Sequence, residues 1–142
     1  MQVNSEVLDR EKVLLIVDWC ENKFGKSEHW KKPLRLRVYK SEGKHVIDFM
    51  KDGMRGMYYN GIISIYLASN KTVKQLCETV IHEYKHYLMN DKEYDELKAL
   101  MKKYGDYDFV YNHPHEKKAN YAEKKWGRIC YNELKSKLYR KI

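Results

Sequence analysis

Hydrophobic and polar positions divide the chain into stretches of different period. Residues 6–24 set Val7, Leu8, Leu14, Leu15, Val17 and Trp19 among charges in a mainly helical rhythm that Gly25 ends, which predicts an N-terminal helix. From Leu34 the rhythm becomes alternation. In LRLRVYK, Leu34, Leu36 and Val38 fall on one face and Arg35, Arg37 and Tyr39 on the other, the period of a strand. HVIDFM (45–50) and MRGMYY (54–59) read as further short strands separated by turn residues around Asp52-Gly53, and Asn60-Gly61 is a hairpin signal before IISIYLA. Beyond Ser69 the pattern turns to long helices, over 71–89, 91–104 and 114–140, the last opened by a proline. This order predicts an α+β fold: an N-terminal helix, a small three- to four-stranded and mainly antiparallel sheet, the helix that carries His82 and His86, and a C-terminal helix that carries Glu116 and Glu123. No repeat or linker interrupts it, so residues 1–142 read as a single domain, long enough to bury a core unaided.

Composition adds three constraints. Cys20, Cys77 and Cys130 lie far apart with no CxxC pair, so neither a disulfide framework nor a cysteine zinc ribbon is indicated. No stretch approaches the roughly 20 apolar residues of a membrane span, and the first apolar run has charges before and inside it, so the expected location is the cytoplasm, without a membrane partner. The net charge of +8 favours contact with polyanions, but the lysines are spread along the sequence and interleaved with glutamates. Any nucleic-acid contact is therefore expected to be weak and nonspecific.

The candidate chemistry lies in TVIHEYKHYLMN, residues 79–90. At about 100° per residue, Val73, Leu76, Cys77, Val80, Ile81, Tyr84 and Leu88 form one apolar stripe. Thr72, Gln75, Thr79, His82, His86 and Asn90 occupy the other side, with Glu83 at its edge. His82 and His86 are one turn apart and project together, so their imidazoles can meet one zinc ion (Zn2+) at about 2.0–2.1 Å. Glu83 then flanks that metal as a general base toward a water whose pKa zinc lowers to about 7. The side chains around the histidines are threonine, glutamine and asparagine rather than the lysine and glutamate of an ordinary solvated face.

A zinc site needs a further protein ligand. Met89 and Lys92 stand where the metzincin pattern needs glycine and histidine, which excludes that class, and no histidine lies between His86 and His113, which disfavours a SprT-like protease. In NHPHEKKANYAEKKW, Pro114 suits a first helical position, placing Glu116 in the first turn with Asn120 and Glu123 at i+4 and i+7 on the same side. HExxH followed by HPHEKKAN resembles the gluzincin arrangement, and especially the compact zinc peptidases of the minigluzincin and ImmA/IrrE-like group. Their second helix commonly reads HPxExEAN or ExEANxFA. This chain keeps His113, Pro114, Glu116, Ala119 and Asn120, and departs at Lys118 and at Ala122-Glu123. The resemblance spans roughly residues 62–126 and implies a zinc-dependent peptidase acting on a protein or peptide. It also implies Glu116 as third ligand, Asn120 holding a histidine ligand's second ring nitrogen, and GIISIYLA as an edge strand along which a peptide lies. Glu123 and His113 are the alternative ligands, and Glu116 also suits a capping box at the helix start.

Tyr107, Tyr111, His113 and His115 are candidates to stabilise an oxyanion. Trp19, Trp30 and Trp126 read as packing, and Cys77, on the apolar stripe, as a buried thiol. The rival to a peptidase is a non-catalytic, metal-stabilised binding module, one form of which is a basic protein that contacts nucleic acid.

Overall fold

The computed structural model describes residues 7–41, 54–89, 99 and 114–139, with side chains in the last segment from Lys117 onward. Helix α1 spans Arg10–Phe24. Asp9 caps it by accepting from the Lys12 backbone N–H at 2.9 Å, which sets its start later than the apolar pattern alone predicts. Gly25 ends it with a positive φ of 80°, its N–H donating to the Glu21 carbonyl at 2.9 Å. Val13, Ile16, Trp19 and Cys20 form the buried side at helical spacing.

Three strands follow: β1 (Arg35–Tyr39), β2 (Gly56–Tyr59) and β3 (Ile62–Tyr66). Along β1, Leu36 and Val38 are half-buried while Arg35, Arg37 and Tyr39 are exposed, as the alternation requires. β2 and β3 form the hairpin expected at Asn60-Gly61, both of which have positive φ, 47° and 76°. Trp30 lies so close over Gly61 that a Cβ there would come within 2.2 Å of its ring, and the Gly61 N–H donates to the Tyr58 hydroxyl.

The sheet order is β1-β3-β2, with β1 parallel and β2 antiparallel to β3, so the described sheet is mixed rather than mainly antiparallel. The tight hairpin commits one side of β3 to β2, and β1 takes the other side in the same direction as β3. This also corrects the reading of GIISIYLA as an edge strand: β3 is central and hydrogen-bonded on both sides, and β1 and β2 are the edges among the described residues. The strand expected at HVIDFM and all but Ala99 of the helix expected over 91–104 lie outside the described residues.

A 3-10 turn, Leu67–Ser69, leads from the sheet to α2, Val73–Leu88. Asn70 fixes this junction. Its Nδ2 donates to the Tyr66 and Arg55 carbonyls at 2.9 and 3.2 Å, and its Oδ1 accepts from the Thr79 hydroxyl at 2.6 Å. Thr72 caps α2 by accepting from the Gln75 N–H at 3.0 Å, while the Gln75 side chain accepts from the Lys71 N–H at 2.7 Å. Helix α3 spans Pro114–Leu138 and starts at the proline, as expected. α2 lies at the centre, packed against α3, α1, β2 and β3.

The core joins Ile63, Ile65 and Tyr58 of the sheet to the buried sides of the three helices. Cys20, Cys77 and Cys130, one from each helix, are all buried there as free thiols. Burial first, then the neighbouring Cys77, pushes the Cys20 thiol well above its ordinary pKa; a hydrogen bond with Cys77, then burial, does the same to Cys130. Among the described residues no helix is long and apolar enough to cross a membrane.

Candidate metal centre

α2 buries both of its faces. Val73, Leu76, Cys77, Val80, Ile81 and Tyr84 are fully buried on the apolar stripe, and on the polar side Thr79, Glu83 and His86 retain only 2%, 7% and 3% of their surface. The histidines are thus not on the wet side of an amphipathic helix. His82 meets α3 and its neighbours Thr79 and Glu83 meet β2, and polar groups removed from water persist only where partners compensate them.

β2 closes one side. A Cβ on Gly56 would stand 2.9 Å from Thr79 Cγ2 and 3.1 Å from Glu83 Cγ, so the strand comes this near α2 only because the position has no side chain. The Glu83 stem is held against that strand.

The histidines meet over one turn, with ring centroids 5.0 Å apart and the two Nε2 atoms 3.3 Å apart. One ligand atom from each of His82, Glu83 and His86 can be chosen so that all lie within 4.8 Å of one another. Two nitrogens bound at about 2.0–2.1 Å in tetrahedral geometry stand roughly 3.3–3.4 Å apart, so the observed separation is that of two corners of such a site.

α3 supplies a partner that orients the first histidine. Glu123, 4% exposed, places Oε1 2.9 Å from His82 Nδ1, and its Oε2 accepts from Arg55 Nη2 at 3.3 Å. Burial raises the Glu123 pKa, but the His82 hydrogen bond, then the charges of His82, Arg55 and Lys124, outweigh it and hold the carboxyl below its ordinary value. An ionised carboxylate only accepts, so His82 Nδ1 is the donor in this bond; when the ring gives up its other proton, the lone pair it exposes is that of Nε2, on the side of His86. This is the tautomer a metal requires, imposed from the side of the ring away from it.

His82, Glu83 and His86 therefore come together as their spacing suggests. Glu123, considered as an alternative ligand, is found on His82 Nδ1 instead. Asn120 sits half-buried on α3 about one turn earlier, and the bond to the second ring nitrogen of His82 is made by Glu123. The backbone of Glu116 lies in the first turn of α3, whereas its side chain and that of His115, together with Tyr107, Tyr111 and His113, fall outside the described residues. Arg55 carries no local signal: it lies at the start of a short strand pattern, and only the fold brings it to Glu123.

Comparison of the chain with protein-family models, with curated proteins and with solved structures finds no match. The reading of the centre rests on its own geometry and on the motif.

Proposed function

We propose that the protein is a cytoplasmic zinc-dependent peptidase in which His82, His86 and Glu116 hold the metal and Glu83 is the general base. The observation that carries this reading is the convergence of the two Nε2 atoms, 3.3 Å apart and partly buried, beside the Glu83 carboxylate. Zinc would supply a Lewis acid that polarises the scissile carbonyl and makes a water acidic near neutral pH. Glu83 takes a proton from the attacking water and returns it to the leaving amine, so that one water and one peptide bond become a carboxylic acid and an amine. Glu123 keeps His82 in the binding tautomer, and Arg55 holds Glu123 by its other oxygen. The three cysteines, free and buried, accord with a reducing compartment.

A second reading, a metal held for stability without turnover, is favoured by the low exposure of Glu83 and His86. Zinc content measured after preparation without chelator, combined with cleavage of a broad peptide library, separates the two. About one zinc per chain with cleavage by wild type and none by Glu83→Gln supports the peptidase. Zinc with no cleavage by either supports the binding module, and no zinc even on titration overturns both.

A further inference from the structure

α3 sorts its polar side chains by sign as well as by exposure. Among its described side chains Lys117, Lys118, Lys124, Lys125, Arg128, Lys135 and Lys137 are exposed, against a single exposed acid, Glu133. α1 is balanced by contrast, with Arg10 and Lys23 exposed beside Glu11, Asp18 and Glu21. Glu133 is already engaged, accepting from Trp19 Nε1 at 2.9 Å on the flank that meets α1. At 3.6 residues per turn, Lys117, Lys124, Arg128 and Lys135 fall within about 40° of one line, and that line runs roughly 27 Å. Tyr121, 66% exposed, stands at its edge, and Lys118 and Lys125 lie about a quarter turn to the same side. Glutamates that interrupt the lysines in the sequence do not interrupt them in space, because Glu123 turns inward to His82 and Glu133 toward Trp19.

Lys124 and Arg128, four apart, repel each other by about 0.2–0.5 kcal/mol, so the pairing does not help the isolated helix. We propose that the outer face of α3 is a docking surface for the phosphate backbone of double-stranded nucleic acid, gripped without reading base sequence. A duplex carries one phosphate charge per about 1.7 Å of axis, hence roughly sixteen along the stripe, ample to match its cations. An anionic membrane is the poorer occupant: a helix that lies in a bilayer surface must offer an apolar face, and the apolar face of α3, including Ala122, Leu134 and Leu138, is buried in the core. Phosphate contacts need only charge and reach. This surface is independent of the metal centre and survives or fails apart from it.

The test is fluorescence anisotropy of a labelled DNA duplex of arbitrary sequence, titrated with full-length protein over a range of salt. The triple variant Lys117→Gln, Lys124→Gln, Arg128→Gln is compared with Lys31→Gln, Arg35→Gln, Arg37→Gln, which removes equal charge from β1 and the segment before it. The α3 triple should weaken binding by about tenfold or more at low salt and reduce the slope of log K against log salt by about 2.7, at about 0.9 per lost phosphate contact. The control should leave that slope unchanged. If circular dichroism shows the triple to be unfolded, the single variants Lys124→Gln and Arg128→Gln should each lower the slope by about 0.9. Equal losses in both triples, no duplex binding at low salt, or tighter binding to phosphatidylglycerol vesicles than to the duplex would each overturn the proposal.

Discussion

Helices α2 and α3 each carry a polar side, and the fold treats the two in opposite ways. On α2 that side is closed over by β2 and α3, leaving Thr79, Glu83 and His86 almost without exposure; on α3 all the lysines and the one arginine remain in water. An exposed lysine keeps its hydration and implies little about function, whereas a buried carboxylate or imidazole has lost it and must be compensated by specific partners. Glu123 sharpens the contrast. It is the one charged side chain of α3 that is buried among those described, and it is the one that meets the polar side of α2. Burial therefore separates candidate chemistry from solvated surface more cleanly than residue type does.

The most severe way to break this contrast is to remove the proposed base. Glu83→Gln should keep zinc, because it removes no proposed ligand, yet lower peptide turnover by about 10²–10⁴-fold. Steady-state kinetics beside zinc content checks it, and undiminished turnover would take Glu83 out of the mechanism.

Next in size is the link between the two helices. Glu123→Ala should weaken zinc by roughly 10–100-fold, the range typical when a histidine ligand loses its orienting partner. Competition with a chromogenic chelator measures this. Glu116→Ala should bind zinc more weakly still, and wild-type affinity in Glu116→Ala would move the third ligand to another residue such as His113.

The closeness of β2 and α2 offers a smaller effect that needs no metal. Gly56→Ala forces a methyl against Thr79 and Glu83, and overpacking of this kind costs about 1–3 kcal/mol. Urea denaturation would register it, and an unchanged midpoint would mean that the strand stands off the helix.

On the exposed side of α3 the same assay should find almost nothing. Lys135→Ala removes a solvated charge and should change stability by no more than about 0.5 kcal/mol. A loss of several times that would show that the outer face is packed against something, and the contrast between the two helices would fail.

Much of this was legible along the chain, because it depends on residues close in sequence. The α1 and α3 helices, the alternation in β1, the Asn60-Gly61 hairpin and the apolar stripe of α2 follow from periods of 3.6 and 2 and from turn residues that accept positive φ. The pairing of His82, Glu83 and His86 is legible for the same reason, since a spacing of four on one helix brings side chains together whatever surrounds them.

Tertiary structure alone decided what depends on distant segments. The parallel pairing of β1 with β3 placed β3 at the centre of the sheet, where turn signals between neighbouring strands report nothing. Which side of α2 would be wet could not follow from its wheel, because the wheel separates two faces without saying what covers the second; β2, admitted by Gly56, and α3 cover it. The choice of Glu123 for His82 Nδ1, and of Arg55 for Glu123, spans 41 and 68 residues of chain. Local sequence carries the geometry of a turn or a helix face, but the partner of a buried charge is set by which elements pack together.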